Sequence, residues 1–388
     1  MRVLKLSYEF PPIGGGGSSV VKGLSRELAA MGHTVDVVTM NFRDLPSVEP
    51  VDGTTIYRVD AGRRSESRCT VFEAFRYVLS ARRVVRLLLA THSYDLVHVH
   101  FVFPDGLVAL LEAARLRIPI IITAHGSDVP GYNGKWFFRV AHVLLRSLWR
   151  RVTRSAELIV SPSLTLARLI ESARPGTAIE VIPNGIAANR FRPAKKKEQI
   201  LVATRFLERK GVQYLLEALA QSRCSWPVVI VGSGEYRAEL ERLNEQLGRP
   251  AHFAGWLAND SREFRDLLEQ SAIFVLPSDF ENFPISLLEA MAAGSAIVTT
   301  KGHGCEEVVG ETAELVTPGG QDAGRCVREI RAALERLTND PNYREHLGKS
   351  ARRRLDDRFA WSAVARHYLK CYEQIAAPET VVQAGLAR

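Results

Sequence analysis

Short β-branched runs alternate with helix-length stretches through the first half of the chain. In the longer stretches, apolar residues recur every three or four positions, as in Val20–Met31 and Pro104–Arg115, which is the spacing of an amphipathic helix. Strands that alternate with helices favour a parallel sheet covered on both faces. The predicted strands are Val3–Ser7, Thr34–Thr39, Thr55–Asp60, Leu96–His100, Ile118–Thr123, Leu158–Ser161 and Glu180–Ile182.

The alternation is interrupted once and then resumes. Residues 191–198 contain a proline, a charge run and no periodicity, which is typical of a linker. We therefore predict an α/β protein of two doubly wound, Rossmann-like domains that face each other across a cleft, with ligands bound beyond the carboxyl ends of the strands. The predicted division is a first domain over 1–190, the linker over 191–198, a second domain over 199–358, a terminal helix over 359–377 that crosses back to the first domain, and a loose tail over 378–388.

Composition narrows the class of protein. Of 388 residues, 46% are hydrophobic and 24% are charged, which are ordinary values for globular domains. The five cysteines lack the spacing of a disulfide framework or a zinc module, and no apolar run approaches the roughly 18 residues that span a bilayer. Lys5 interrupts what would be the apolar part of a signal peptide. These features predict a cytoplasmic protein.

The formal net charge of +8 favours anionic partners, which include phosphorylated small molecules, acidic lipid surfaces and nucleic acid. No helix-turn-helix, zinc or single-strand stacking motif accompanies that charge. We therefore expect no nucleic-acid partner.

A glycine-rich loop joins the first predicted strand to the first helix. The four consecutive glycines Gly14–Gly17 let the backbone approach a ligand closely, and the helix that follows offers free N–H groups to a phosphate. The segment is not a P-loop, because no Gly-Lys-Ser/Thr follows, and it does not match G-x-G-x-x-G. A merely flexible loop is the alternative.

Charged residues follow two strands of the second half. Arg205 and Lys210 lie in the turn after Ile200–Thr204, where a guanidinium and an ammonium could neutralise a departing diphosphate. Glu281 precedes a helix that Pro284 starts, and Glu289 lies inside that helix. The alternative for each of these residues is an ordinary solvated surface position.

The segment F-E-N-F-P-I-S-L-L-E-A-M-A-A-G over 280–294 resembles the signature of the retaining nucleotide-sugar glycosyltransferases of family 4 (group 1), which have the GT-B fold. Further pieces occur in the family's order and cover nearly the whole chain. They are G-G-G-G at Gly14–Gly17, T-A-H-G-S-D at Thr123–Asp128, V-I-P-N-G-I at Val181–Ile186, R-F-L-E-R-K-G at Arg205–Gly211 and V-G-S-G at Val231–Gly234. Lys301–Glu307 departs from the pattern, because relatives commonly have G-G-x-x-E there.

The resemblance implies transfer of a sugar from a UDP- or GDP-linked donor to a saccharide or lipid-linked acceptor, with retention. By similarity Arg205 and Lys210 bind the diphosphate, Glu281 the sugar and Glu289 the ribose, and His125 positions the reacting sugar. Other implied donor-binding positions are Gly232, Gly234, Leu257, Phe283, Pro284, Ile285 and Ser286. Implied acceptor-side or phosphate-loop positions are Gly14, Gly15, Gly16, Gly17, Asp128 and Asn184. No cofactor and no essential metal are expected, because basic residues take the place of a metal.

Basic clusters of the first half suggest contact with an anionic membrane, on its inner face, and a part in bacterial envelope polysaccharide or glycolipid synthesis. The clusters are residues 135–154, Arg63 and Arg64 with Arg68, and Arg82 and Arg83 with Arg86. The alternative for 135–154 is a core-packing helix with a solvated basic face. Two other functions stay open: a nucleotide-sugar 2-epimerase on the same fold, and a non-catalytic regulator that binds a sugar nucleotide.

Overall fold

The structure, a computed structural model, describes residues 1–66, 68–132, 140, 142–248, 251–259 and 261–376. The chain divides into two units. The first unit consists of Met1–Gly185 and the segment that begins at Trp361, and the second is Ile186–Ala360.

The first unit is built on an eight-stranded sheet. Its strands are β1 (Arg2–Leu6), β2 (Thr34–Met40), β3 (Val48–Val51), β4 (Thr54–Val59), β5 (Leu96–His100), β6 (Ile120–Thr123), β7 (Leu158–Ser161) and β8 (Ile179–Val181). The strand order is β3-β4-β2-β1-β5-β6-β7-β8, and every pairing is parallel except β3 with β4. The direction of winding reverses between β1 and β5, so the loops after these two strands flank the position where doubly wound sheets bind ligands.

The helices of the first unit pack on both faces of this sheet. Before the terminal segment they are α1 (Gly16–Ala30), α2 (Val71–Thr91), α3 (Asp105–Leu116), α4 (Arg146–Arg154) and α5 (Leu164–Ala173). Helix α1 begins four residues earlier than predicted, so Gly16 and Gly17 form its first turn. A capping box formed by Thr70 and Glu73 starts α2.

The second unit repeats the architecture with six parallel strands. They are β9 (Lys197–Ala203), β10 (Val228–Val231), β11 (His252–Gly255), β12 (Ser271–Leu276), β13 (Ala296–Thr300) and β14 (Glu314–Val316), in the order β11-β10-β9-β12-β13-β14. The winding reverses between β9 and β12. Its helices are α6 (Val212–Ala220), α7 (Arg237–Gln246), α8 (Arg262–Gln270), α9 (Ile285–Ala293), α10 (His303–Val309), α11 (Ala323–Asn339) and α12 (Pro341–Arg358).

The predicted linker over 191–198 is wrong as a free connection. Phe191 is 1% exposed and belongs to a hydrophobic core of the second unit. The Lys196 ammonium donates to the carbonyls of Glu269 (2.9 Å) and Ala293 (2.8 Å), which lie in the last turns of two helices, and β9 already begins at Lys197. These residues satisfy helix C-termini, which need donors.

The terminal helix α13 (Trp361–Ala376) packs against α1. A Cβ added at Gly23 would lie 2.3 Å from the Trp361 ring, and one at Gly185 would lie 2.4 Å from it. Two glycines therefore make room for the first residue of α13. The predicted loose tail over 378–388 lies outside the described residues.

Candidate functional site

Two loops of the second unit meet at the point where its sheet reverses direction. The Asp279 N–H donates to the Arg209 carbonyl (2.9 Å), and the Arg209 guanidinium donates to the Phe280 carbonyl (3.0 Å). Gly211 has a φ of +71°, and a Cβ there would lie 2.0 Å from the Pro277 carbonyl oxygen. Glycine at 211 thus lets the loop after β9 lie directly against the loop after β12.

This contact brings Lys210 and Glu281 together although 71 residues separate them. The Lys210 ammonium donates to Glu281 Oε1, and the two side chains are 10% and 11% exposed. Arg205, three residues before the start of the 3-10 turn Glu208–Lys210, is exposed. Lys210, predicted to bind the diphosphate, and Glu281, predicted to bind the sugar, therefore lie at one loop junction, where they form a nearly buried ion pair.

Helix α9 begins beside this ion pair. Pro284 is its N-cap, and Ile285 and Ser286 form its first turn, where the backbone N–H groups have no partner within the helix. Gly294 ends the helix with a φ of +74°. The uncapped N-terminus carries a partial positive charge, so it adds to the field of Lys210 at the same place.

Glu289 is buried inside α9, at 5% exposure. Burial raises its pKa to about 7, against a smaller opposing effect of Arg190. A carboxyl group held out of water in this way gains most from a ligand that donates hydrogen bonds to it.

Gly232 and Gly234 make room for a neighbouring backbone. A Cβ at Gly232 would lie 1.9 Å from the Thr204 carbonyl oxygen, and one at Gly234 would lie 2.2 Å from that of Phe206. The two glycines hold the loop after β10 against the loop after β9. Their packing role stands beside the predicted donor-binding role.

Trp256 is a candidate that sequence analysis did not single out. It follows β11 and is 67% exposed, whereas the predicted Leu257 is half-buried in the core. The sequence feature that could have identified it is a tryptophan directly after a strand, at the carboxyl edge of the sheet, where an aromatic ring can stack on a ligand.

The side chain of Phe283, a predicted donor-binding residue, is largely buried. It is 8% exposed and its ring packs edge-on against Phe359, with centroids 5.6 Å apart.

The segment 301–307, which departs from the family pattern, packs against the loop that carries Glu281. The Gly304 N–H donates to the Glu281 carbonyl (3.0 Å), and a Cβ there would lie 1.6 Å from the Asn282 carbonyl oxygen.

The glycine loop of the first unit packs tightly at its two ends. A Cβ at Gly14 would lie 2.6 Å from the Glu9 carboxylate, and one at Gly17 would lie 2.6 Å from the Phe101 ring. Gly15 and Gly16, between them, are exposed. Within Gly14–Gly17, the backbone is therefore accessible to a ligand at Gly15 and Gly16.

Asp128 holds the loop that carries His125. Its carboxylate accepts from the backbone N–H groups of His125 (3.1 Å), Gly126 (2.8 Å) and Val102 (2.8 Å). Desolvation raises the pKa of Asp128 and lowers that of His125 to about 3. Asp128 therefore holds the backbone of the loop that carries His125. Asn184 lies in the loop after β8, at 9% exposure.

Two family models match the chain in succession. Residues 14–190 match the model described as Glycosyltransferase Family 4, and residues 186–354 match Glycosyl transferases group 1. Together they span both units.

Curated relatives align over nearly their whole length. An uncharacterized glycosyltransferase of Methanocaldococcus jannaschii is 27% identical over 96% of this chain and 98% of its own. The MMP alpha-(1->4)-mannosyltransferase of Mycolicibacterium hassiacum is 28% identical over 97% of this chain and 99% of its own.

Solved structures share the architecture. Sucrose-phosphate synthase from Thermosynechococcus elongatus has a TM-score of 0.78 at 23% identity and covers 96% of this chain and 98% of its own. Anabaena HepE in complex with UDP-glucose has a TM-score of 0.73 at 18% identity and covers 96% and 100%. The predicted GT-B fold is confirmed, and the chain is a glycosyltransferase that belongs to family 4 (group 1).

Proposed function

We propose that the chain transfers a hexose from a nucleotide diphosphate-sugar to an acceptor with retention of the anomeric configuration. The observation that carries this proposal is the Lys210–Glu281 ion pair beside the uncapped N-terminus of α9. A cation and free N–H groups suit a diphosphate, and a carboxylate next to them suits the hydroxyls of the attached sugar.

The chemistry needs charge stabilisation more than a protein base. The bond from the anomeric carbon to the diphosphate oxygen breaks, the acceptor oxygen bonds to the same carbon, and the acceptor proton goes to the departing diphosphate. Lys210, Arg205 and the N–H groups of Ile285 and Ser286 stabilise the charge that develops on that diphosphate. Because these groups supply positive charge, the reaction proceeds without an essential metal.

The remaining roles rest on the resemblance to family 4 and on local geometry. Glu289 accepts hydrogen bonds from the ribose, and the exposed Trp256 indole stacks on the base. His125 contacts the transferred sugar, and the first unit binds the acceptor. A UDP or GDP donor fits the family, and the HepE structures with UDP and UDP-glucose favour UDP.

A lipid-linked acceptor at an anionic membrane is supported by one face of α2. Phe72, Phe75, Leu79 and Leu87 are 68%, 58%, 42% and 62% exposed, and Arg83 lies between them on the same side of the helix. An apolar stripe with cationic residues suits an interfacial helix. Among the described residues, no helix is long and apolar enough to cross a bilayer.

The basic clusters expected at that membrane need correction. The Arg63 side chain is 0% exposed and pairs with Glu9. Arg82 and Arg86 both pair with the buried Glu112. Trp149 is 1% exposed and its indole donates to the Asp128 carbonyl (2.9 Å), so this side of α4 packs inward; residues 135–139 and 141 lie outside the described residues.

The test is thermal unfolding with UDP, GDP, ADP and their common sugar conjugates, with and without a chelator. A ligand that binds only the folded state raises the midpoint temperature, because it increases the free energy of unfolding by roughly 2.7 kcal/mol at a hundredfold excess over its Kd. The conjugate that shifts the midpoint is then incubated with the enzyme and a saccharide or lipid-linked acceptor, and the anomeric configuration of the product is read by NMR. A 2-epimerised sugar nucleotide, an inverted product or a shift abolished by the chelator would each contradict the proposal.

The membrane part is tested separately with sedimented vesicles that contain anionic phospholipid. The double variant Phe72→Ser, Phe75→Ser is expected to lose most vesicle binding, whereas Leu164→Ser, at 53% exposure on α5, is the matched control. Equal binding by both variants would refute the role of α2.

A further inference from the structure

A layer of polar side chains is buried on one face of the first sheet. Lys5, His98, His100, Thr39 and Thr123 are all at most 1% exposed. Lys5 and His98 are register partners on neighbouring strands, and so are His100 and Thr123. A buried polar layer costs folding free energy unless it is hydrogen-bonded, so its arrangement calls for a reason beyond packing.

Helix α13 supplies hydrogen-bond partners to this layer. The Tyr372 hydroxyl lies 2.6 Å from His98 Nδ1, and His98 Nε2 lies 2.7 Å from Thr123 Oγ1. Burial raises the pKa of Tyr372 well above its usual value, so the hydroxyl keeps its proton. The Tyr372 hydroxyl therefore donates a hydrogen bond to His98 Nδ1, and the Nε2–H group of His98 donates to the Thr123 hydroxyl.

His98 packs against His100, which contacts His125. The centroids of the His98 and His100 rings are 4.1 Å apart. His100 Nδ1 lies 3.3 Å from His125 Nε2, and the planes of these two rings differ by only 23°. Burial lowers the pKa of His100 well below its usual value, so two neutral imidazoles share one hydrogen bond.

The second nitrogen of His100 decides where the shared proton lies. Within the described part of the chain, His100 Nε2 is buried without a hydrogen-bond partner. A buried N–H without an acceptor costs more than a buried lone pair without a donor. The proton therefore belongs on His100 Nδ1, which donates to His125 Nε2.

We propose that His100 is a positioning residue, which fixes the orientation of His125 and holds it in the tautomer with its proton on Nδ1. This inference rests on the proposed contact of His125 with the transferred sugar. A neutral imidazole has one donor and one acceptor nitrogen, so the tautomer determines which nitrogen of His125 donates.

The experiment combines NMR of ¹⁵N-histidine-labelled protein with steady-state kinetics. In the wild type, the His125 signals should show protonation at Nδ1. His100→Leu should remove the hydrogen bond that selects the Nδ1–H tautomer, so that the His125 signals shift away from that tautomer and kcat falls about tenfold, since one hydrogen bond contributes roughly 1.4 kcal/mol. The Kd for the nucleoside diphosphate should stay unchanged, because the residues proposed to bind it lie in the second unit, whereas His100 lies in the first.

His100→Asn is the rescue variant, because its amide nitrogen can take the place of Nδ1 as a donor. It should restore the Nδ1–H tautomer and most of kcat. Thr39→Val is the control within the same buried layer, since the Thr39 hydroxyl has no hydrogen-bond partner among the described residues. It should alter neither the tautomer nor kcat.

An Nε2–H tautomer in the wild type would overturn the inference, and so would an unchanged tautomer and kcat in His100→Leu. The role of His125 fails separately, if His125→Ala keeps full turnover. The NMR result does not depend on turnover, so the two failures are distinguishable.

Discussion

Replacement of Glu289 by glutamine should change how stability depends on pH. The carboxyl group is 5% exposed and its pKa is raised from 4.5 to about 7, chiefly by burial. Below about pH 4.5 the group is protonated in both the folded and the unfolded chain and makes no difference between them. As the pH rises from about 4.5 to about 7, the carboxyl group ionises in the unfolded chain but stays protonated in the folded chain, so stability is lost, and the loss levels off above about pH 7.

The size of this loss follows from the shift. A difference of about 2.5 pKa units at 1.36 kcal/mol per unit gives about 3 kcal/mol of lost stability at pH 8 and above. Glu289→Gln carries no titrating group at this position, so its stability should match the wild type below about pH 4.5 and exceed it by about 3 kcal/mol at pH 8 and above. Urea unfolding of both proteins across this range measures the difference directly.

The same titration should appear in nucleotide binding. Ribose hydroxyls donate to a carboxylate better than to a carboxyl group, so the wild type should bind its nucleoside diphosphate more tightly as the pH rises from 5.5 to 8. Comparison with Glu289→Gln by calorimetry removes the contribution of the phosphate groups. Glu245→Gln, at an exposed site on α7, serves as the control for stability. Parallel stability curves for wild type and Glu289→Gln would refute the reasoning.

Three further variants test separate features. Lys210→Met removes the cation beside Glu281 and should lower turnover at least about 100-fold, measured with the donor found by thermal shift. Gly234→Ala places a Cβ 2.2 Å from the Phe206 carbonyl oxygen at a φ of +158°, and should cost more than about 2 kcal/mol in urea unfolding. Trp361→Ala removes a ring that is 7% exposed, and should cost about 3–5 kcal/mol and abolish the hydrogen-exchange protection of α13.

Each of these variants has a matched control. Lys349→Met removes an exposed lysine paired with Glu345, and should leave turnover intact. Gly248→Ala tests backbone strain alone, because φ is +61° and, among the described residues, no atom lies within 4 Å of the new Cβ. Trp256→Ala, at 67% exposure, should barely change stability. A control that behaves like its partner variant would contradict the corresponding argument.

Local patterns were enough to predict most strands, because a β-branched run in a parallel sheet is continuous and buried. The linker was mispredicted for a physical reason. Phe191 and Lys196 look like loop residues in the sequence. Phe191 is buried in a core formed mostly by residues later in the chain, and the Lys196 ammonium donates to a carbonyl 97 residues away. Helix α10 was missed because its seven residues are too few for periodicity to show.

The candidate site shows the same division between local and distant information. Glu281 and Lys210 were recognisable by their motifs, but their ion pair joins loops that only the sheet topology brings together. The alternation in Leu96–His100 is typical of a strand with one solvated face. That face is buried instead, because Tyr368 and Tyr372 of α13 cover His98. Sequence analysis therefore found His125 and missed His100.

The place of α13 in the first unit has a consequence for synthesis of the chain. The hydrogen bond between His98 and Tyr372 closes a loop of 274 residues, and the whole second unit lies inside that loop. The second unit is contiguous, so it can fold on the ribosome as soon as it emerges. The first unit begins earlier but must wait for the last helix, and until then its histidine layer faces water. Premature termination before Trp361 would thus leave a folded second unit attached to an incomplete first one.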